Sequence, residues 1–217
     1  MLNNIINYLK KNRISTTEVA DALGKKGVFK NIKPINQLSN FHKVGKIKCI
    51  FAAHKSNYLV HDGIEGLEKE DIPIIFAYNC FNNSIIGDLI SKYVLLYKRA
   101  EAIVVLGCVR DAPKLIKENY PVWSEGFNPV GCKNNFTKQF PAKLKQKIKK
   151  KFENGIVVCD TTGVVAIEKR QINKKLLDKL RDIEKQEDLW YYCLDTLKWN
   201  TKDIVVKKKY LKEKKII

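Results

Sequence analysis

The chain has 217 residues, 45% of them hydrophobic, enough to bury a sizeable core and too many for general disorder. Its formal net charge is +18, from 41 Lys and Arg against 23 Asp and Glu, a balance that attracts polyanions but says nothing about fold. No apolar run approaches the length of a bilayer span, and Met1 to Lys11 lacks the apolar block and small-residue cleavage site of a secretory signal. A cytoplasmic protein without a membrane role is therefore expected. Six cysteines (Cys49, Cys80, Cys108, Cys132, Cys159 and Cys193) form no CxxC pair, which argues against a zinc site and against a disulfide framework.

In chain order, Leu2, Ile5, Ile6 and Leu9 have the spacing of an amphipathic helix over residues 1–12. Ser15-Thr16-Thr17-Glu18 is a capping signal for a second helix, Glu18 to Leu23, closed by Gly24 and Gly27. Lys46 to Ala53 reads as a strand, Asn57 to Leu67 as a helix, and Pro73 to Tyr78 as a buried strand. Asn79 to Ile86 reads as a loop. Leu89 to Arg99 has helical spacing, Ala102 to Leu106 is a buried strand, Ala112 to Asn119 a short helix, and Pro121 to Trp123 a short strand. Such alternation predicts an α/β layered domain spanning the chain.

The later elements are less sharply written. Lys143 to Lys151 carries six lysines. Leu144, Ile148 and Phe152 suit a helix, yet the stretch also reads as a Lys-studded edge strand. A solvated basic edge is favoured over a nucleic-acid patch, because no aromatics are interleaved for base stacking; nucleic acid is not expected as the primary partner. Ile156 to Ile167 predicts a hairpin turning at Thr162-Gly163. Asn173 to Leu197 predicts a long C-terminal helix. The basic tail from Lys207 is expected to be mobile or packed on a neighbour.

The stretch from Gly87 to Asp111 holds the most chemistry. Asp88 opens a predicted helix, and the strand after it ends on Arg110 and Asp111. Two carboxylates and a guanidinium at one sheet edge suit a hard cation and an anionic substrate. His42, His54 and His61 lack metal-ligand spacing, and His61 reads as a hydrogen-bonded structural residue. Asp21 is expected to cap or pair within the N-terminal helices, and Asp160 to serve a turn.

Several segments, in order, resemble one family. Thr16 to Gly24 (Thr-Thr-Glu-Val-Ala-Asp-Ala-Leu-Gly), Asn57 to His61, Gly87-Asp88-Leu89-Ile90, Gly107 to Asp111, Tyr120 to Trp123, and Asp160 to Val165 are similar to motifs of the RraA-like family. This family comprises the regulator of ribonuclease E activity A and related 4-hydroxy-4-methyl-2-oxoglutarate aldolases. The resemblance covers about residues 14–195. It implies a layered α/β sandwich with a swivelling-domain-like β/β/α core and a C-terminal helix, assembled as a trimer or as a hexamer of trimers. Between Asp88 and Arg110 lie 21 residues, one more than the family's usual spacing; the extra residue is expected near Lys98 to Glu101.

The resemblance also implies a site. Asp111 would bind Mg²⁺ or Mn²⁺, with Asp88 holding metal-bound water. Arg110 would face the keto oxygen of a 2-oxo acid, and Gly87 with the backbone N–H groups of Leu89 and Ile90 would receive its carboxylate. Glu187 from the C-terminal helix of a neighbouring subunit, with Glu184 as the rival, would complete the metal site. The implied activity is a divalent-metal-dependent lyase, cleaving by retro-aldol chemistry to release pyruvate or decarboxylating oxaloacetate. The alternative is a non-catalytic regulator that binds a ribonuclease or helicase complex.

Overall fold

The computed structural model describes residues 1–212. Its strands are β1 (Val28–Phe29), β2 (Lys33–Pro34), β3 (Lys43–Ala53), β4 (Asp71–Tyr78), β5 (Ser84–Ile86), β6 (Ile103–Val109), β7 (Val122–Phe127), β8 (Ile156–Cys159) and β9 (Val164–Ile167). Together they form a nine-stranded sheet in the order β1-β9-β8-β3-β4-β6-β7-β2, with β5 paired to β6 off this path. The pairings of β3 with β4, β4 with β6, β5 with β6 and β6 with β7 are parallel. The flanks, β1-β9-β8-β3 and β7-β2, are antiparallel. Parallel neighbours need crossover connections, and helices supply them.

The helices are α1 (Leu2–Lys11), α2 (Thr16–Ala22), α3 (Tyr58–Glu65), α4 (Asp88–Lys92), α5 (Ala112–Lys117), α6 (Ala142–Phe152) and α7 (Lys174–Asp195). Side-chain alternation along β3 assigns them to layers. Val44, Ile50 and Ala52 face one side. There Ile50 and Ala52 join Val60 and Ile64 of α3, Ile90 of α4 and Leu115 of α5. Further along the same face, Val44 packs with Ile5 and Leu9 of α1, Val19 of α2, and Leu176 and Leu180 of α7. Ile47, Cys49, Phe51 and Ala53 face the opposite side, where Phe76, Trp123 and Phe140 fill the core and Phe152 of α6 leans on Phe29 and Phe76.

The Ser15 cap forms as a reciprocal box: Glu18 N–H donates to Ser15 Oγ at 3.2 Å, and Ser15 N–H donates to Glu18 Oε2 at 2.7 Å. The helix it caps begins at Thr16, two residues before the sequence expectation. Asp160 serves its turn and more. Its carboxylate accepts from Thr162 N–H (2.8 Å), Gly163 N–H (3.2 Å), Thr16 N–H (2.7 Å) and Thr16 Oγ1–H (2.7 Å), so the β8–β9 hairpin and the start of α2 share one acceptor.

Several expectations need correction. Residues 84–86 leave the predicted loop to become β5, because Ser84 and Ile86 pair with the end of β6. The two-residue strands β1 and β2 have too little pattern to read; each exists only by pairing, with β9 and β7 respectively. Residues 142–152 are helix, not edge strand. The β8 edges are already occupied by β3 and β9, and Ile148 and Phe152 pack on the sheet four residues apart. The helix after Asp88 widens at Tyr93–Tyr97 into a π-turn, in which Lys98 N–H reaches back to Tyr93 O at 3.0 Å. A π-turn holds one residue more than an α-turn.

The described part of the tail, residues 207–212, packs on the chain itself. Tyr210 is buried with Cys193 and Ile204, and Gln186 Nε2 donates to its hydroxyl at 3.3 Å. The last five residues of the predicted tail lie outside the described residues. Among those described, no helix is long and apolar enough to cross a membrane.

Candidate functional site

In an open α/β sheet the carboxyl ends of parallel strands leave the crevice in which ligands bind. Here those ends are Ala53 of β3, Ile86 of β5 and Val109 of β6. A cavity of about 110 Å³ opens beside them, lined by residues from the segments 57–61, 84–90, 110–111 and 131–134. Gly87, Leu89, Ile90, Arg110 and Asp111 line it together, so the tertiary fold brings these predicted residues to one place.

The geometry follows from two chain reversals. β6 ends at Val109, and Arg110 N–H donates to Ile86 O at 3.0 Å, tying the two strand ends. Asp111 then turns left-handed, with φ of +62°, and becomes the N-cap of α5. A non-glycine residue in that region is uncommon and is held by its surroundings. Its Oδ2 accepts the Asp88 backbone N–H at 3.1 Å, so one carboxylate caps α4 from a distant position. Arg110 Nε lies 3.8 Å from the same oxygen.

Gly87 is buried between these groups. A Cβ there would come within 2.3 Å of Asp111 Oδ2 and 2.9 Å of Arg110 Cγ, so the close approach requires glycine. Gly131 does the same on the other side, where a Cβ would meet Arg110 Nη1 at 2.8 Å. The guanidinium is thus held between two glycine backbones, with its side chain half exposed. Asp88 points to Lys114, whose Nζ lies 3.1 Å from Asp88 Oδ2; this hydrogen bond, with the charge behind it, raises the Lys114 pKa.

Three contributors were not singled out as site residues from the sequence. Lys114 stands one turn after Asp111 on α5, a spacing that could have flagged it. The segment 131–134 gave no periodic signal. Asn57 belongs to the family-like segment Asn57 to His61. It is buried on the cavity wall, donates Nδ2–H to Ile85 O at 3.0 Å, and leaves its Oδ1 buried without a partner. A buried side-chain acceptor without a partner is uncommon.

The other candidates separate from this cavity. His61 is exposed on its rim and takes no hydrogen bond among the described residues, which corrects its reading as a hydrogen-bonded structural residue. His42 binds Ile14 O at 2.8 Å, and His54 packs edge-on to Tyr78. Asp21 is exposed and makes no cap. Its charge, like that of Glu18, raises the Glu187 pKa, behind a larger effect of burial. Glu187 lines a separate apolar groove with Trp190, Tyr191 and Ile204, away from the Asp111 cavity of its own chain. Glu184 accepts from Tyr8 O–H and ties α7 to α1.

No group of three or more His, Cys, Asp or Glu side chains gathers in position to hold a metal ion among the described residues. Of the two acids Asp111 lines the cavity, while the Asp88 carboxylate beside it is paired with Lys114, so the chain offers at most two carboxylates. That number fits a hard cation which keeps most of its water shell, and does not fit a protein-caged one.

A mixed sheet flanked by helices, with a polar cavity at its parallel strand ends, defines the α/β class of the molecule. The profile described as RraA-like, Aldolase/RraA, matches residues 16–166, more than half of the chain. The chain belongs to the RraA-like family, which joins aldolases with RraA regulators. Solved structures share its fold. An uncharacterized protein from Pseudomonas syringae pv. tomato aligns with a TM-score of 0.69 at 18% identity, over 89% of each chain. RraAS2 of Streptomyces coelicolor, described as an unusual member of the RNase ES inhibitor RraA family, aligns at 0.63 and 17%, over 82% of this chain and 89% of that one. The RNA-processing inhibitor RraA from Thermus thermophilis aligns at 0.55 and 15%, over 70% and 91%. No curated protein matches the sequence significantly.

Proposed function

We propose that the protein is a divalent-metal-dependent lyase acting on a 2-oxo acid in the cytoplasm, by retro-aldol release of pyruvate or by decarboxylation of oxaloacetate. One observation carries this reading: Arg110 and Asp111 meet around Gly87 in the wall of one polar cavity, with the Asp88 backbone N–H bonded to the Asp111 carboxylate. Asp111 would hold Mg²⁺ or Mn²⁺, and Asp88 would reach it through water. The bound cation would act as a Lewis acid toward the substrate's carboxylate and keto oxygens.

The chain's own groups do the rest. Arg110 lies against the keto oxygen, where charge collects as the bond beyond C3 breaks. It lies against the backbones of Gly87 and Gly131, where a guanidinium can stabilise that charge as it develops. The substrate carboxylate rests on the N–H groups of Leu89 and Ile90 in the first turn of α4, where unpaired donors favour an anion. Asn57 Oδ1 offers an acceptor for a substrate hydroxyl. Asp88, paired with Lys114, positions a water that takes the proton from the hydroxyl of the carbon beyond C3 as that bond breaks and returns a proton to C3; in decarboxylation it supplies only the proton to C3 as carbon dioxide leaves. The partly buried Glu187 would approach the same centre from a neighbouring subunit in a trimer or hexamer.

The test is release of pyruvate from 4-hydroxy-4-methyl-2-oxoglutarate and from oxaloacetate with added Mg²⁺. Turnover in the wild type and its loss in Asp111→Ala are expected. No turnover with any 2-oxo acid, or full turnover in Asp111→Ala, overturns the reading.

A second reading rests on a different surface. The exposed lysines of α6 and the net charge of +18 suit an acidic or RNA-bearing partner. A non-catalytic regulator of a ribonuclease or helicase complex would use that face, and capture of such an enzyme by the wild type but not by a variant with Lys143, Lys147 and Lys150 changed to Glu would favour it.

A further inference from the structure

The 25 residues between Phe127 and Glu153 hold eight lysines and no Asp or Glu. The segments packed beside them, 51–61 and 76–87, have no acid either. Among the described residues a single one of the eight lysines reaches a carboxylate, Lys151 at 3.5 Å from Glu168. Lysines alone make a solvated face, and Lys143 to Lys151 has no aromatic residue within it. The tertiary fold brings aromatic rings to it from elsewhere.

Hydrogen bonds tie the start of this stretch to the turn after β3. Lys133 N–H donates to Lys55 O at 2.8 Å, and Asn57 N–H to Lys133 O at 3.0 Å. Ser56 Oγ–H donates to Asn135 O at 2.7 Å, and Thr137 Oγ1–H to His54 O at 3.4 Å. Phe136 thereby meets Tyr58 of α3 edge to face, with ring centroids 6.0 Å apart. Such a pair leaves ring faces open, and the two residues stay 50% and 42% exposed. From the same turn, Lys55 Nζ stands 5.3 Å from the centre of the Phe81 ring, which is 74% exposed. Exposed rings grouped in this way mark a contact surface. Next to Tyr58 and Phe136 the surface continues into a groove of about 370 Å³, lined by Leu59, Phe140, Lys145, Gln146 and Lys149. Lys145 and Lys149 stand one turn apart on α6, while Ile148 and Phe152 of that helix pack on the sheet.

We propose that this surface binds single-stranded RNA, its bases stacking on Phe136, Tyr58 and Phe81 and its phosphates passing Lys55, Lys133, Lys145 and Lys149. A cationic groove beside open aromatic rings is the combination that holds unpaired strands without reading their sequence. The absence of acids from all three segments leaves nothing in them to repel a phosphate. A duplex would satisfy the lysines but keeps its bases stacked on one another, so the rings select an unpaired strand. Gln139 and Gln146, also on the groove, each carry a donor and an acceptor, as the ribose 2′-hydroxyl does, and this favours RNA over DNA. The inference goes beyond both readings above: it needs neither a 2-oxo acid nor a ribonuclease or helicase.

Fluorescence anisotropy of a labelled oligo(U) RNA of about 12 nucleotides, titrated with the full chain across a salt series, tests it. The wild type is expected to bind, with log affinity falling against log salt at a slope of roughly −3, about 0.7 for each of the phosphates that the named lysines neutralise. Phe136→Ala and Tyr58→Ala should each bind about tenfold more weakly at an unchanged slope, because stacking releases no counterions. The double variant Lys145→Ala, Lys149→Ala should flatten the slope by about 1.4. The matching oligodeoxyuridine and an RNA duplex should bind about tenfold more weakly than the single-stranded RNA. No binding at about 50 mM salt overturns the proposal. So does wild-type affinity in both aromatic variants, which would reduce the attraction to charge alone, and so does equal affinity for the deoxy strand or the duplex. Sedimentation in parallel covers the other occupant: an oligomer that falls apart in Phe136→Ala, without RNA binding, would assign the rings to a second copy of the chain. The variant at Lys143, Lys147 and Lys150 that tests capture of a ribonuclease complex leaves all the lysines named here in place, so the two proposals fail separately.

Discussion

The backbone N–H of Asp88 donates a hydrogen bond to Oδ2 of Asp111 at 3.1 Å, joining two acids 23 positions apart. One carboxylate therefore caps α4 and, as the left-handed N-cap residue of α5, fixes where the next helix begins. Its structural and chemical tasks separate by substitution. Asp111→Ala removes the cap acceptor and is expected to lower stability by about 1 kcal/mol. Asp111→Asn keeps an acceptor and tolerates the left-handed backbone. Its thermal midpoint should stay near that of the wild type, while metal-dependent pyruvate release falls about 10- to 100-fold. Calorimetry and a coupled pyruvate assay on the two variants check this.

Gly87→Ala tests the close approach. The added methyl would press on Asp111 Oδ2 and Arg110 Cγ, side-chain atoms that can move, so the fold should survive. The Asp88–Asp111 hydrogen bond should not. A circular dichroism spectrum like that of the wild type, with turnover lowered at least as far as in Asp111→Asn, is expected; unchanged turnover would show that this packing is irrelevant to chemistry.

Asp160→Ala should cost much more stability than Asp111→Ala. It strips acceptors from Thr16 and from the hairpin turn at once, in a largely buried setting. Unsatisfied buried donors cost about 1–3 kcal/mol each, so a loss of roughly 3 kcal/mol or more in urea denaturation is expected.

Lys46 gives a pH signature. Its ammonium donates to Glu68 at 2.7 Å and lies 3.3 Å from the buried Asp71; the Glu68 hydrogen bond is the main cause of its raised pKa, with Asp71 adding to it. A proton held more tightly in the folded state stabilises the fold below the unfolded pKa of about 10.5, and the contribution fades as pH rises through the higher folded value. Lys46→Met should cost about 1–3 kcal/mol at pH 7, discounted from a fully buried pair because Lys46 is partly exposed. The gap between wild type and variant should close above pH 10.5, measured as urea midpoints across the range.

Much of the architecture was legible because it is local. The period of α1, the Ser15–Glu18 box, the β-branched runs of β8 and β9 and the heptad-like spacing of α7 each satisfy their own backbone groups or mark their own buried face. What escaped was set by neighbours. β1 and β2 are two residues each and exist only as pairs of β9 and β7. Residues 142–152 carried two readings until the sheet edges were found to be occupied. The tail read as mobile or packed on a neighbour because Tyr210 stands among lysines, and only the fold shows that it is buried with Cys193 and Ile204 of the same chain.

The same division holds at the site. By itself the sequence determined that an acid at a helix start and an Arg-Asp pair at a strand end lie within one strand-helix-strand unit, because motif order and period-two burial are local properties. Only the tertiary structure decided that Gly87 lets the strand ends close until Asp111 caps the helix of Asp88, that Gly131 presses on Arg110, that Lys114 takes the Asp88 carboxylate, and that Asn57 is left with a buried, unpartnered acceptor. Those relationships depend on parallel pairing and on chain reversals between distant segments, which no spacing rule along a single chain can encode.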